Sequence, residues 1–466
     1  MTKAISQIAN RKLGYGLTVF IFITIIFNYF EIYYHYWFLK LVNGYVIKIW
    51  LLPVLLFCFL LFKELLAKGY SFPLKAVSGV NLFIVFYVLF GFISLTVHEQ
   101  PYYIGKYALI MFAPLTLYAV IVDSFRDNKN IEKVLNLLFI AGLILSLYVS
   151  YMFYILGPEK WSSENIEVKY MLTDVSAVRN LKESFNIQNF GYGNLAIRKT
   201  LIGIAEPTFG AILAPLILIG FYYTVNSTGL LRLFYYISSF FMFYTLTNTL
   251  ARSSFVAFII GLIPFLMHIR KRVKDVLIIL LVITAIVMMN KPMQYRLIQL
   301  TGSVAQKIID KSSTAQKVID KVKTKIEFSG DGHIDSLNET LRNFKEAPFL
   351  GNGISNIEGK YKNDRWYAEH NRYLYILSTA GLLTLIPYVA FILGLIIIAR
   401  KTFLNKLKSN RSIQDIGLVL YPSVLLFAIQ INNAGMETYY YWIFFGLAAA
   451  WIRNSKSEDR NENSIN

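Results

Sequence analysis

Apolar runs of bilayer-spanning length recur along this sequence, and no other feature limits so strongly what the chain can fold into. A hydrocarbon core of ~30 Å is crossed by about 20 helical residues. Runs of that order, the shorter ones with loosely defined ends, occupy 14–37, 45–66, 79–97, 103–122, 134–156, 200–225, 230–250, 254–269, 276–289, 373–398, 416–431 and 439–452. Hydrophobic residues make up 56% of the chain and charged residues 16%, too apolar a balance for a water-soluble surface. The expected fold is therefore all-α, a polytopic membrane protein of about 12 transmembrane helices. The first run is of spanning length and lacks a small-residue cleavage site, so it is expected to stay as an anchor.

Lysine and arginine orient the spans, because basic residues accumulate in short cytoplasmic loops. With the N-terminus inside, inner loops hold clusters such as Arg270, Lys271, Arg272 and Lys274, or Arg400, Lys401, Lys406, Lys408 and Arg411. Short outer turns hold only Lys40, Lys48, Lys106 and Arg252. Both termini are then cytoplasmic, and the chain divides into helices one to five (1–156), a first extracytoplasmic loop (157–197), helices six to nine (198–289), a large extracytoplasmic loop (290–371), helices ten to twelve (372–452) and a disordered cytoplasmic tail (453–466). Within the large loop, residues 305–311 are echoed by 315–321, with apolar positions at helical spacing that predict an amphipathic interfacial helix.

The net charge of +18 anchors the inner face to anionic lipid head groups, and nucleic acid is not the expected partner. The outer loops are basic too, which suits a pyrophosphate or an acidic polysaccharide. Cys58 is the single cysteine, so neither an intrachain disulfide nor a cysteine metal cluster can form.

Charged side chains near membrane depth are costly and mark function by default when they face a cavity. Arg198 precedes the sixth span, Arg252 lies in the turn between the seventh and eighth, Arg342 is in the large loop, and His370 marks the entrance of the tenth. All four fall on the outer side. Guanidinium forks match phosphate oxygens bidentately, so such a set suits a diphosphate, although Arg252 alone reads equally as a snorkelling interfacial residue. Glu206 and Pro207 lie within the sixth span, where the proline predicts a kink and the carboxylate needs a partner. Glu206 either orients Arg198 or Arg252 in a substrate cavity or fixes helix packing as a paired charge. Asp331, His333 and Asp335 form a metal-like cluster that reads better as a solvated turn, and no metal or cofactor is expected. The chain has no phosphate-cradling glycine motif of the nucleotide-binding type, so the donor is not expected to be a cytoplasmic nucleotide sugar.

The most specific stretch begins at Ser336 and ends at Leu383. Arg342 is followed by Pro348, Gly351 and Gly353 in a Pro-x-x-Gly-x-Gly turn, then by His370, Asn371, Tyr373 and Leu374, and later by Gly381, Leu382 and Leu383. This pattern resembles the O-antigen ligase and repeat-unit polymerase superfamily, and Ala251, Arg252 and Ser253 resemble the family's Ser-Arg-Ser turn. The resemblance implies a GT-C-like membrane glycosyltransferase using a polyprenyl diphosphate glycan donor without a metal. It implies that Arg198, Arg252 and Arg342 contact the diphosphate, with His370, Arg252 and Glu206 as the catalytic set and Asn371 and Tyr373 on the acceptor side. It places the enzyme in the plasma (inner) membrane with its active site extracytoplasmic, beside partners in chain-length control and export. Polymerisation of lipid-linked repeat units is favoured because the span with Glu206, Pro207 and Thr208, preceded by Arg198, is more similar to polymerases. Ligation to lipopolysaccharide core is the alternative. A lipid-linked glycan flippase or transporter has a similar span count but usually two similar halves, which this sequence lacks.

Single-cysteine labelling tests the topology. In a Cys58→Ser background, a cysteine placed within 301–325 is expected to react with an impermeant reagent on spheroplasts, and one at Lys406 to be protected. The reverse pattern contradicts the orientation.

Overall fold

The computed structural model describes residues 80–98, 115, 117–119, 121–151, 206–249, 251–290, 340–353, 371–407, 415–429 and 439–465. Nine α-helices are present among the described residues: α1 (Val80–His98), α2 (Asn128–Tyr151), α3 (Glu206–Asn226), α4 (Gly229–Asn248), α5 (Arg252–His268), α6 (Val273–Met289), α7 (Arg372–Leu407), α8 (Gly417–Ile429) and α9 (Tyr439–Ile465). No strand occurs among them, and 121–124 are also helical. The all-helical class expected from hydropathy is what the structure has. Five helices are long and apolar enough to cross a membrane, and α5 and α8 are shorter apolar helices. The first two expected spans, 14–37 and 45–66, lie outside the described residues.

Burial separates a central helix from peripheral ones. The apolar window of α3 is 89% buried, against 39–44% for the other four spanning helices. It packs on α4, α5, α2 and α8, while α1 lies along α7. Close approach is built from glycine: a Cβ on Gly220 would lie 2.0 Å from Ser239 Oγ of α4 and 2.4 Å from Phe139 of α2. Between α1, α7 and α9 the core is aromatic. Phe391 stacks on Trp442 at 5.7 Å and Tyr118 meets Trp442 edge-on at 6.3 Å.

At one end of the bundle, arginines close the C-terminal ends of helices. Arg453 donates from Nη2 to Phe125 O at 2.8 Å and from Nη1 to Val122 O, and Arg272 donates to Val225 O at the end of α3. The last carbonyls of a helix lack intrahelical donors and carry partial negative charge, which a guanidinium satisfies. Arg232 pairs with buried Asp275, which also accepts from Tyr236 Oη at 2.7 Å. These contacts explain a difference from the sequence expectation. Residues beyond Ile452 do not begin a disordered tail; α9 runs on to Ile465. Arg453 and Asn454 tie that turn to Phe125 and Asn128, and a helix already nucleated in the core extends at little cost.

The other end receives the long stretch between α6 and α7, and is called here the loop end. There α7 is interrupted. Gly381 has φ 73° and ψ −176°, a conformation open essentially to glycine alone. The break releases backbone groups that a continuous helix would pair internally. The turn formed by Pro348, Phe349, Leu350, Gly351, Asn352 and Gly353 takes them up. Asn352 N donates to Ser378 O at 2.8 Å and Gly353 N to Thr379 O at 3.0 Å; in return Leu382 N donates to Pro348 O at 2.9 Å and Leu383 N to Phe349 O at 3.2 Å. Ser94 of α1 completes the joint by donating to Leu350 O at 2.5 Å.

The tenth expected span is thus two limbs. Fifteen residues of straight helix would separate Tyr373 from Tyr388 by about 22 Å along the axis, yet their ring centroids are 6.0 Å apart. Residues 372–380 therefore fold back toward the long limb that starts at Leu382. A glycine in an apolar run gives no sign of this by itself; the break is specified by the distant turn that pairs with it.

The joint leaves no room for side chains. A Cβ on Gly351 would lie 2.4 Å from Ala380 N, and one on Gly381 2.3 Å from Phe349 O. Gly229 also has positive φ, 59°, but nothing lies within 4 Å of its Cβ position. Gly229→Ala is expected to cost only the conformational term, about 1–2 kcal/mol. Gly351→Ala and Gly381→Ala should each cost at least about 2 kcal/mol more, because backbone must move. Thermal unfolding in detergent compares the three, and equal losses contradict the joint.

Candidate functional site

Two helices start at the loop end, α5 at Arg252 and α7 at Arg372, and the described part of α3 starts beside α5 at Glu206. The aligned peptide dipoles of a helix place partial positive charge at its start, equivalent to roughly half a unit. Both first residues, of α5 and of α7, are arginines as well. Such an end attracts anions and disfavours further cations, the electrostatic arrangement a diphosphate group requires.

Glu206 and Arg252 open neighbouring helices. A Cβ on Gly210, four residues after Glu206, would lie 2.7 Å from Cβ of Ser254, two residues after Arg252, so α3 and α5 are in close contact there. The backbones of Glu206 and Arg252 are described and the placement of their side chains is not. Pro207 is the second residue of the described part of α3, and the residues before Glu206, where a kink at Pro207 would show, lie outside the described residues. The cap of α5 is Ala251, which offers no side-chain acceptor to the first-turn N–H groups. The preceding turn is held by other polar groups. Thr249 Oγ1 accepts from Ala251 N at 3.2 Å and donates to Leu246 O at 2.7 Å. Asn290, 6% exposed at the end of α6, donates to Thr247 Oγ1 at 3.0 Å and to Asn248 Oδ1 at 3.3 Å.

Arg342 lies on the exposed face of a short helical segment, 340–346, whose buried face carries Thr340 and Asn343. Asn352 Nδ2 donates to Asn343 O at 2.7 Å, so this segment is fastened to the docked turn. Arg342 therefore belongs to the unit that sits in the break of α7. Asn371 caps the short limb. Its Oδ1 accepts from Tyr373 N at 2.9 Å and from Leu374 N at 3.3 Å, and its carbonyl takes the first helical bond from Tyr375 N at 2.8 Å. Tyr373 Oη donates to Ala428 O at 2.6 Å, joining the limb to the end of α8. Asn371 and Tyr373, assigned by resemblance to the acceptor side, thus also hold the limb in place.

Arg198, His370 and the cluster around His333 lie outside the described residues. Glu206 and Arg252 are brought together on one pair of helices, and Arg342, Asn371 and Tyr373 on another unit; α8 packs against α5 and α7 and joins the two.

Two residues at this end escaped the sequence reading. Arg372 is 3% exposed, with Cζ 5.1 Å from the ring centre of Tyr388 and 5.3 Å from that of Tyr441. Cation–π contacts contribute about 0.5–1 kcal/mol each at exposed sites and about 2 when desolvated, so this guanidinium is firmly held. The rule that singled out Arg252, a charge at membrane depth, applied equally to Arg372, but its neighbours in the motif drew the assignment. His98 ends α1, one turn beyond Ser94, and its Nε2 is enclosed without a hydrogen-bond partner among the described residues.

Residues 237–389 match a family model described as O-antigen ligase. The matched stretch covers most of α4, all of α5 and α6, the docked turn, the short limb and the start of the long limb of α7 as far as Val389. It includes Arg252, Arg342, His370, Asn371 and Tyr373, and excludes Arg198 and Glu206. No curated protein matches the chain.

Removing the cap should act on stability first. Asn371→Ala is expected to lower stability by about 1 kcal/mol, and Asn371→Ser or Asn371→Asp by a few tenths, in detergent unfolding. Loss of function in a fully stable Asn371→Ser protein would instead assign the amide to substrate.

Proposed function

We propose that this chain, whose residues 237–389 match a family model described as O-antigen ligase, is a membrane glycosyltransferase acting on a polyprenyl-diphosphate-linked glycan. The carrying observation is that two separated motifs, the Pro348 to Gly353 turn and the stretch from Asn371 to Leu383, form one packed unit at the end of the bundle where Arg252 opens α5. The acceptor is the hydroxyl of another lipid-linked repeat unit, and the product is a longer surface polysaccharide. The match to O-antigen ligase supports a second reading, ligation of the glycan to a lipopolysaccharide core sugar. Both use the same chemistry.

The acceptor oxygen attacks the anomeric carbon, the bond from that carbon to the diphosphate oxygen breaks, and the hydroxyl proton passes to a base. We assign the base to His370, whose ordinary titration range suits proton transfer near neutral pH. Arg198, Arg252 and Arg342 stabilise the diphosphate as it leaves, a role for fixed guanidinium groups rather than for a metal ion. Glu206, at the start of the helix packed on that of Arg252, orients an arginine. This site faces the extracytoplasmic side of the plasma membrane with both termini cytoplasmic, and chain-length control and export proteins are its functional neighbours.

Transfer from a purified lipid-linked donor tests the assignment. His370→Ala should lower turnover by about 10² to 10⁴ without loss of folding. Arg252→Lys and Arg342→Lys should each impair transfer while the protein still inserts, because an ammonium lacks the planar fork. Wild-type product yield and length from all three at matched expression would contradict the proposal.

A further inference from the structure

Serine and threonine inside a helix ordinarily donate to the carbonyl three or four residues back. Thr224, Ser239 and Thr245 do so, to Gly220 O at 2.9 Å, Tyr235 O at 2.6 Å and Phe241 O at 3.0 Å. Ser94, 1% exposed on α1, instead donates out of its own helix to Leu350 O at 2.5 Å, with Thr379 O a longer contact at 3.4 Å. A hydroxyl has one proton to give, and this one lies where the docked turn meets the short limb of α7. The position follows from how α1 runs antiparallel along the long limb. Val80 meets Gly394, where an added Cβ would lie 2.9 Å from Val80 Cγ2, and the rings of Tyr87 and Tyr388 are 5.2 Å apart. Seven residues after Tyr87 the buried face of α1 presents Ser94 at the break, so an unbroken helix lies alongside a broken one.

The carbonyl that Ser94 meets belongs to a segment bonded within itself. Asn352 Nδ2 donates to Asn343 O at 2.7 Å, Ala347 N to Asn343 O at 3.3 Å and Gly351 N to Ala347 O at 3.0 Å. These bonds tie the turn to the helical stretch that carries Arg342 on its exposed face. Irregular backbone away from water is stable where protein supplies donors, and Ser94 supplies one from a helix outside the matched stretch 237–389.

We propose that α1 is a splint for the break in α7, and that Ser94, its bond to the docked turn, is a positioning residue for Arg342. The working unit then includes a helix from the earlier part of the chain as well as the matched stretch. The role in transfer rests on the function proposed above; the splint itself does not.

Two measurements on the full-length protein in detergent separate these. Hydrogen exchange, read by mass spectrometry on peptides covering 347–353 and 378–385, reports the joint directly. Ser94→Ala should speed exchange in both at least about fivefold, as expected when a carbonyl away from water loses its donor, while peptides from α4 and α5 keep the wild-type rate. Unchanged exchange at the joint overturns the splint. Equal acceleration in α4 and α5 overturns it as well, by making Ser94 a residue of general stability. In transfer from a purified lipid-linked donor, at matched folded protein, Ser94→Ala should lower kcat/KM by about tenfold. In an Arg342→Lys background the same change should cost less than about threefold, because an ammonium on a flexible stem depends less on placement than a planar fork does. Equal losses in the two backgrounds overturn the positioning role. Local acceleration of exchange in a protein whose wild type transfers nothing from any lipid-linked donor upholds the splint and defeats the transferase reading instead. Ser94→Cys, with a weaker donor of similar size, serves both measurements should the alanine variant fail to insert, and the same outcomes decide.

Discussion

The pairing of the Pro348 to Gly353 turn with the break at Gly381 is the interaction on which the loop end depends. Away from water, an N–H or C=O released from a helix must find another partner, and irregular backbone at membrane depth survives only where protein supplies it. Here each side of the joint needs the other. Without the turn, Ser378 O, Leu382 N and Leu383 N lose these partners and Thr379 O keeps only Ser94 Oγ at 3.4 Å; without the break, the turn has no groups to bind. The two glycines follow from distance, since any Cβ would fall within 2.4 Å of opposing backbone. Spacing that reads in sequence as a turn followed by a distant Gly-Leu-Leu is therefore one structural object in two pieces.

Arginine is used in opposite senses at the two ends of the bundle. Arg272 and Arg453 reach carbonyls at helix C-terminal ends, where the macrodipole favours a cation and the contact is stabilising. Such residues set orientation through the positive-inside bias and close helix ends at the same time. At the loop end, Arg252 and Arg372 occupy the first positions of α5 and α7, where the same dipole opposes them by about 0.3–1 kcal/mol. Natural sequences retain locally unfavourable placements mainly where function compensates. The anion proposed above would reverse the sign of the penalty for Arg252, and Arg372 meets two aromatic faces, those of Tyr388 and Tyr441.

What was legible from sequence divides along the same line. Two helices visible as apolar runs have ends within two residues of those expected, 230–250 against Gly229–Asn248 and 254–269 against Arg252–His268, whereas 134–156 compares with Asn128–Tyr151 and 373–398 with Arg372–Leu407. Hydropathy reports what a segment is soluble in, and a helix in lipid needs little else. It carries no information on backbone pairing between distant segments, so the break in α7 and the fold-back of its first limb were invisible, although both glycines had been picked out as motif residues. The polar stretch after Ile452 misled for a related reason. Composition measures the tendency of a segment alone, and Arg453 and Asn454 are held by Phe125 and Asn128, more than three hundred residues earlier. Of the candidate site, the capping geometry of Asn371 and the burial of Arg372 come only from the folded chain.

A long connection is a poor place for a group that must meet a reacting hydroxyl within hydrogen-bond reach. Stretches such as 290–371 exceed the usual length of loops in compact folds. Two pieces of this one are fastened to α7: the turn ending at Gly353 is bonded into its break, and Asn371 caps its first turn. The entropy of closing an interval between two fixed ends grows only slowly with its length. Chemistry at the membrane surface gains from this combination, because a bulky lipid-linked substrate needs space beside the bundle while the attacking and accepting atoms need tolerances of a fraction of an ångström.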